Sequence, residues 1–202
     1  KNGIFGFQVS AASQGADAAS QLLQYGTSEN ALSLAKKINA IQKFFVERTR
    51  LGIPMIAFDE SLHGLVRSGA TSFPQAIGLA ATWDAALMKR VATAIAWETK
   101  VRGIRDVLTP VVNIASDVRW GRTEETYGED PYHLGVMGAA LSTGIQTHNV
   151  AATVKHFAVN SIENSRFKVD VKVDDRTLRE VYLPHFKRVL DSGCATVMSA
   201  YN

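Results

Sequence analysis

Lys155 and His156 stand side by side where the apolar run 150–154 stops. An ammonium and an imidazole placed there can donate hydrogen bonds to hydroxyls or anions, and a buried amine can instead form a Schiff base with a carbonyl substrate. The same design recurs along the chain. Asp59 and Glu60 follow the run 54–58, Asn113 closes 106–112, and Tyr201 and Asn202 follow 196–200. Arg119 and Arg122 share a loop with Glu124, Glu125 and Glu129, and Arg166 ends the polar stretch 160–166, which contains neither Gly nor Pro. Each residue also has a plain structural reading. Lys155 and His156 can cap a strand, at least one of the two arginines is expected to pair with a neighbouring glutamate, His63 suits a hydrogen-bonded packing role as well as a ligand role, and Trp120 and Tyr127 can pack their loop. Convergence of four polar strand ends favours function over capping. No spacing of His, Cys and carboxylates makes a metal site.

Such residues need a sheet to carry them. Ala31, Leu34, Ala35, Ile38, Ile41, Phe44 and Phe45 recur at helical spacing after Ser28, a candidate N-cap, and before Gly52. A second helix is predicted over 84–101, with Thr82 as candidate cap and Gly103 as stop; a third runs from Pro131 to His148; a fourth starts at Asp175 with Leu178, Val181, Leu183, Phe186 and Val189 inward. Residues 1–25 read as loop with at most one short strand. Between the helices lie the short runs 54–58, 106–113, 150–157 and 196–201, mostly apolar with polar residues at their ends, which is how strands covered on both faces read. Helix and strand alternate, so the fold class is α/β with a parallel sheet. An open doubly wound sheet would place ligands at a switch point, but no G-x-G-x-x-G or P-loop is present. A (β/α)8 TIM-like barrel gathers functional residues at many strand ends and is favoured. With four or five strands where about 250 residues are usual, residues 1–202 are expected to be the major part of a barrel domain that is incomplete in this chain.

At 202 residues, 46% hydrophobic and 20% charged, the chain can bury a core. Its formal charge of +3 is spread without any basic run interleaved with aromatics, so no nucleic-acid partner is implied. No apolar run reaches membrane-spanning length. The single Cys194 excludes an internal disulfide and reads as a buried residue at a strand start.

Several motifs then coincide: Phe-Asp-Glu-Ser-Leu-His-Gly around Asp59, Arg119-Trp120-Gly121-Arg122 with Glu-Glu-Thr-Tyr-Gly-Glu-Asp-Pro after it, Lys155-His156-Phe157 with Asn160 and Arg166, and Met198-Ser199-Ala200-Tyr201-Asn202. Together, from about Ile41 onward, they resemble glycoside hydrolase family 3 in its β-glucosidase branch. The resemblance implies a retaining exo-hydrolase of non-reducing β-D-glucosyl ends that needs no cofactor, in a periplasmic or secreted setting. It assigns substrate contacts to Asp59, Arg122, Lys155, His156, Arg166 and Tyr201, with Asp59 accepting two sugar hydroxyls and the cations donating to others. The N-acetylglucosaminidase branch reads Lys-His-Phe-Pro-Gly-His-Gly, whereas Ala158-Val159-Asn160 follow here. The xylosidase-like branch often has glutamate where Asp59 stands.

Family members carry the nucleophile in a Ser-Asp-aromatic motif at a later strand end and the acid/base glutamate further on. Ser116-Asp117 is followed by Val118 and belongs to the arginine loop, so both catalytic carboxylates are expected outside these residues, in the remainder of the same enzyme. Charge raises a separate question. Lys155, Arg122 and Arg166 against Asp59 alone leave the pocket net positive, which a neutral sugar cannot compensate. Either an acid is missing from the list or the ligand is anionic. The anionic case gives the rival reading, a Schiff-base lyase or aldolase barrel using Lys155; a non-catalytic sugar-binding barrel is the third.

Overall fold

Apolar runs of four to seven residues flanked by helices leave a strand one way to bury both faces, which is to pair in parallel beneath a helical layer. In the computed structural model, which describes residues 4–9 and 29–202, five strands do this. They are β1 (Gly6–Gln8), β2 (Ile56–Asp59), β3 (Asp106–Val107), β4 (Ala151–Phe157) and β5 (Thr196–Ser199). All pairings are parallel and the spatial order equals the chain order. A doubly wound sheet would reverse that order at a switch point; its absence here makes the sheet an arc of a (β/α)8 barrel.

The connecting helices are α1 (Ala31–Arg48), α2 (Ala76–Ala80), α3 (Ala85–Lys100), α4 (Pro131–Gln146), α5 (Asp175–Thr177) and α6 (Pro184–Asp191). α4 packs between α3 and α6, and both α4 and α6 lie on β4. The α3–α4 approach is close enough to require glycine, since a Cβ on Gly144 would stand 2.6 Å from both Ala92 Cβ and Lys89 O. Met88, Ala92 and Ile95 of α3 and Met137, Leu141 and Ile145 of α4 are buried along this seam.

Local chemistry sets the helix ends. Asn30 caps α1 by accepting from Ser33 N at 2.9 Å; the expected cap, Ser28, lies outside the described residues. α3 is capped by Asp84, which accepts from Leu87 N at 2.8 Å, and not by Thr82, whose hydroxyl instead accepts from Asp84 N. Asp130 caps α4 ahead of Pro131, whose missing N–H costs nothing in the first turn.

Two elements depart from the reading of the sequence. Of the run 106–113, only Asp106 and Val107 pair as a strand. Pro110 has no N–H to offer a ladder, and the chain resumes contact with β4 through Lys155 N donating to Pro110 O and Val112 N donating to Lys155 O, both at 2.9 Å. The fourth helix is broken into α5, a π turn (Leu178–Tyr182) and α6. A π turn rotates everything beyond it relative to an α-helical wheel. Val181, within the turn, is exposed, while Phe186 and Val189 beyond it are buried. Cys194 is half-buried before β5, its thiol directed at Ala152 O. Among the described residues no helix is long and apolar enough to cross a membrane.

Candidate active site

β4 delivers Lys155 and His156 to the carboxyl end of the sheet with almost no solvent exposure, 1% and 3%. Buried polar groups of this kind must find partners, and each partner comes from a different loop.

His156 is held by Asn113. The amide oxygen of Asn113 accepts from His156 N and its amide nitrogen donates to His156 O, each at 2.9 Å, so two main-chain bonds fix which way the amide faces. That same oxygen lies 2.9 Å from His156 Nδ1, and an oxygen can only accept. The ring is therefore the Nδ1–H tautomer, with its Nε2 lone pair accepting from Arg122 Nη1 at 3.1 Å. Burial, reinforced by Arg122, Lys155 and Arg166, pushes the imidazole down to about 2 and keeps it neutral.

Lys155 Nζ lies 2.7 and 3.0 Å from the two carboxylate oxygens of Glu60, the residue just past β2. Burial lowers the ammonium's pKa and Glu60 opposes that shift. Asp59 is placed elsewhere. It is fully buried, its Oδ2 accepts from Arg67 Nη2 at 2.6 Å and its Oδ1 from Glu60 N, and it does not line the cavity. Consecutive residues at a strand end point to opposite sides, so Asp59 enters the packing behind the strand while Glu60 emerges. Of these two neighbours it is Glu60, and not the expected Asp59, that lines the cavity.

Arg122 makes a fork with Glu125, Nε to Oε1 at 2.9 Å and Nη2 to Oε2 at 2.6 Å. Its partner residue on the opposite loop, Glu163, accepts from Arg166 Nη1 at 2.8 Å and from Trp120 Nε1 at 3.3 Å, and lies 4.0 Å from Arg122 Nη1. Glu163 thus ties the loop after β4 to the loop after β3. Arg166 packs against the rings of Phe167 and Tyr201, which meet edge to face with centroids 4.6 Å apart.

Together these side chains line an open cavity of about 890 Å³ with Gln8, Phe58, Leu108 and Met198. Five of the six residues singled out in the sequence, Arg122, Lys155, His156, Arg166 and Tyr201, face it; Asp59 does not. Glu60, Glu125 and Glu163 are on its wall too, and Asn113 supports it by holding His156. The sequence marked Glu60 and Asn113 as lying at strand ends without showing that they clamp Lys155 and His156. The excess of positive charge expected from the sequence is absent, because Lys155, Arg122 and Arg166 each meet a carboxylate. Asp117 is outside the cavity and exposed, bound to Arg119, which holds its carboxyl down to about 2. His63 takes the packing role, with Nδ1 2.7 Å from Phe73 O. Among the described residues no group of three His, Cys or carboxylate side chains is placed to hold a metal ion.

Comparisons with known proteins agree with this fold. A β-glucosidase of Rhizobium radiobacter is 40% identical over 161 residues, 76% of this chain and 20% of that protein. A β-xylosidase of Formosa agariphila is 36% identical over 84% of this chain and 26% of its own length. The solved structure of β-glucosidase 3B from Thermotoga neapolitana in complex with glucose superposes with a TM-score of 0.73 at 35% identity, covering 76% of this chain and 23% of that one. The chain spans about a fifth to a quarter of the length of these relatives. The model of the glycosyl hydrolase family 3 N-terminal domain matches residues 17–202, so the chain belongs to glycosyl hydrolase family 3.

Proposed function

We propose that residues 1–202 form the major part of the barrel domain of a retaining, exo-acting β-glucosidase and build most of the subsite that holds the non-reducing terminal glucosyl residue. The observation that carries this reading is the one-to-one neutralisation of the cavity: three cations, three carboxylates and a neutral imidazole. A site with no net charge and many fixed donors and acceptors suits a neutral ligand rich in hydroxyls. It does not suit a phosphate or carboxylate, and Lys155 is occupied by Glu60, which removes the ground for the Schiff-base alternative. In this role Glu60 accepts from sugar hydroxyls, Lys155, Arg122 and Arg166 donate, and His156 presents an acceptor nitrogen. Tyr201 closes the wall. The nucleophile and the acid/base, which retaining hydrolysis places about 5 Å apart, lie outside these residues.

A β-xyloside is the second reading, favoured by Glu60 itself. A glutamate extends one methylene further into the cavity than an aspartate would, occupying space that the 6-hydroxymethyl of glucose needs and xylose leaves open. Steady-state kinetics of the full-length protein on aryl β-glucoside, β-galactoside and β-xyloside separate the cases. The glucoside is expected to exceed the galactoside by more than about tenfold in kcat/KM, because an axial 4-hydroxyl forfeits a charged hydrogen bond of about 1.5–3 kcal/mol. A xyloside preferred over the glucoside would establish the second reading; no turnover on any of the three, or trapping of a carbonyl compound on Lys155 by borohydride, would remove both.

A further inference from the structure

The cavity changes character with depth. Its floor is made of buried charged or polar groups, Lys155, His156 and Arg122 with their carboxylates, whereas its rim carries the ring of Phe167, 55% exposed. The ring is also fixed in place. Its loop closes on itself through Arg166 N donating to Glu163 O, Lys168 N to Ser165 O and Val169 N to Ser165 O. The Arg166 guanidinium stands over the ring, 4.9 Å from its centroid, and the edge-to-face contact with Tyr201 sets its tilt. The ring lines the cavity beside the donors of Arg166.

We propose that Phe167 is the platform for the leaving group: a second pyranose ring lays its C–H face on the phenyl ring while its hydroxyls meet Arg166. The assignment rests on the glycosidase reading above. An exo-acting pocket takes the terminal sugar to its floor, so the bond to be cleaved lies partway up and whatever leaves sits at the rim. A pyranose is amphipathic, with axial hydrogens on one face and hydroxyls at its edge, and the pairing of an aromatic face with a charged donor matches both surfaces. The ring therefore selects for oligosaccharides and bulky aglycones over small leaving groups, without touching the glycosyl unit being transferred.

The test uses the full-length protein with two substrates that share the glycosyl unit and differ in what leaves: a glycosyl fluoride, too small to reach the rim, and a β-linked disaccharide. Phe167→Ala is expected to lower kcat/KM for the disaccharide by about fivefold or more, about 1 kcal/mol, mostly through KM, while the fluoride changes by less than about twofold. Phe167→Tyr, which keeps the ring, is expected to restore the disaccharide value. The fluoride serves as the control for folding. Equal losses on both substrates would make Phe167 a structural support and overturn the assignment, as would no loss on either. Wild-type protein that cleaves neither would sink the glycosidase reading and this assignment with it.

Discussion

Glu60→Gln isolates the electrostatic device on which the cavity floor depends. Lys155 is 1% exposed and Glu60 is the only carboxylate within ion-pair distance of it among the described residues. Replacing the carboxylate by an amide leaves the shape and removes the compensating charge. Breaking one partner of a buried pair costs about 3–5 kcal/mol; since the Glu60 side chain is 23% exposed, water relieves part of this, and about 3 kcal/mol is expected at pH 7. The pH dependence follows from the sign of the lysine's shift. Its folded-state pKa is already lowered by burial, so the unfolded chain binds the proton that the folded chain resists, and stability rises with pH between the folded and unfolded values. Losing Glu60 lowers the folded value further, so the mutant begins this recovery at lower pH and its deficit narrows as alkali neutralises the amine. Equilibrium urea unfolding between pH 6 and 10, followed by tryptophan fluorescence, measures both effects, with Trp120 hydrogen-bonded to Glu163 at the site itself. The decisive comparison is with the pair deleted. Glu60→Gln with Lys155→Met leaves no buried charge and should recover most of the stability. A double mutant as unstable as the sum of its parents, or a pH-independent loss, would show that the two residues are not coupled as described.

Three other outcomes are expected. Asp59→Asn removes the charge that Arg67 pairs with behind β2, so stability should fall by about 3 kcal/mol in urea unfolding while the glucoside-to-galactoside ratio stays within about twofold; Glu60→Asp, on the cavity wall, should move that ratio. His156 is neutral when folded and free to protonate at about 6.5 when unfolded, so its contribution is complete above pH 6.5 and drains away as pH falls toward about 2. His156→Gln, which cannot protonate there, should flatten the acid side of the stability profile, measured by unfolding from pH 4 to 8. Gly144→Ala gains about 1 kcal/mol of helix propensity but forces α3 and α4 apart at a 2.6 Å contact, and a net loss of about 1–3 kcal/mol should appear as a lower midpoint on thermal unfolding.

What could be read from residues alone divides along a physical line. Alternating helical periods and two-faced apolar runs identify parallel strands because burial leaves them no other composition, and cations at the ends of such runs stand out because they contradict it. Lys155 and His156 were visible for that reason, whereas Arg122 was singled out by the resemblance of its loop motif. The counter-charges were legible only in part: a glutamate partner for one arginine of the 119–122 loop was expected and Glu60 was noted at a strand end, but only the direction of each side chain makes Glu60, Glu125 and Glu163 the cavity wall. Asp59 and Glu60 show how fine that distinction is, since they are adjacent, both acidic and both at a strand end, yet the pleat sends one to Arg67 and the other to Lys155. Asn113 was legible as a polar strand end, whereas its hold on His156 depends on a loop 43 residues away arriving within 2.9 Å. The π turn left no periodic mark because it changes the period for a single turn. Charge balance links these cases. The cations read from the sequence outnumbered Asp59 and so demanded further acid; the structure turns Asp59 to Arg67 and supplies Glu60, Glu125 and Glu163, one carboxylate for each cation.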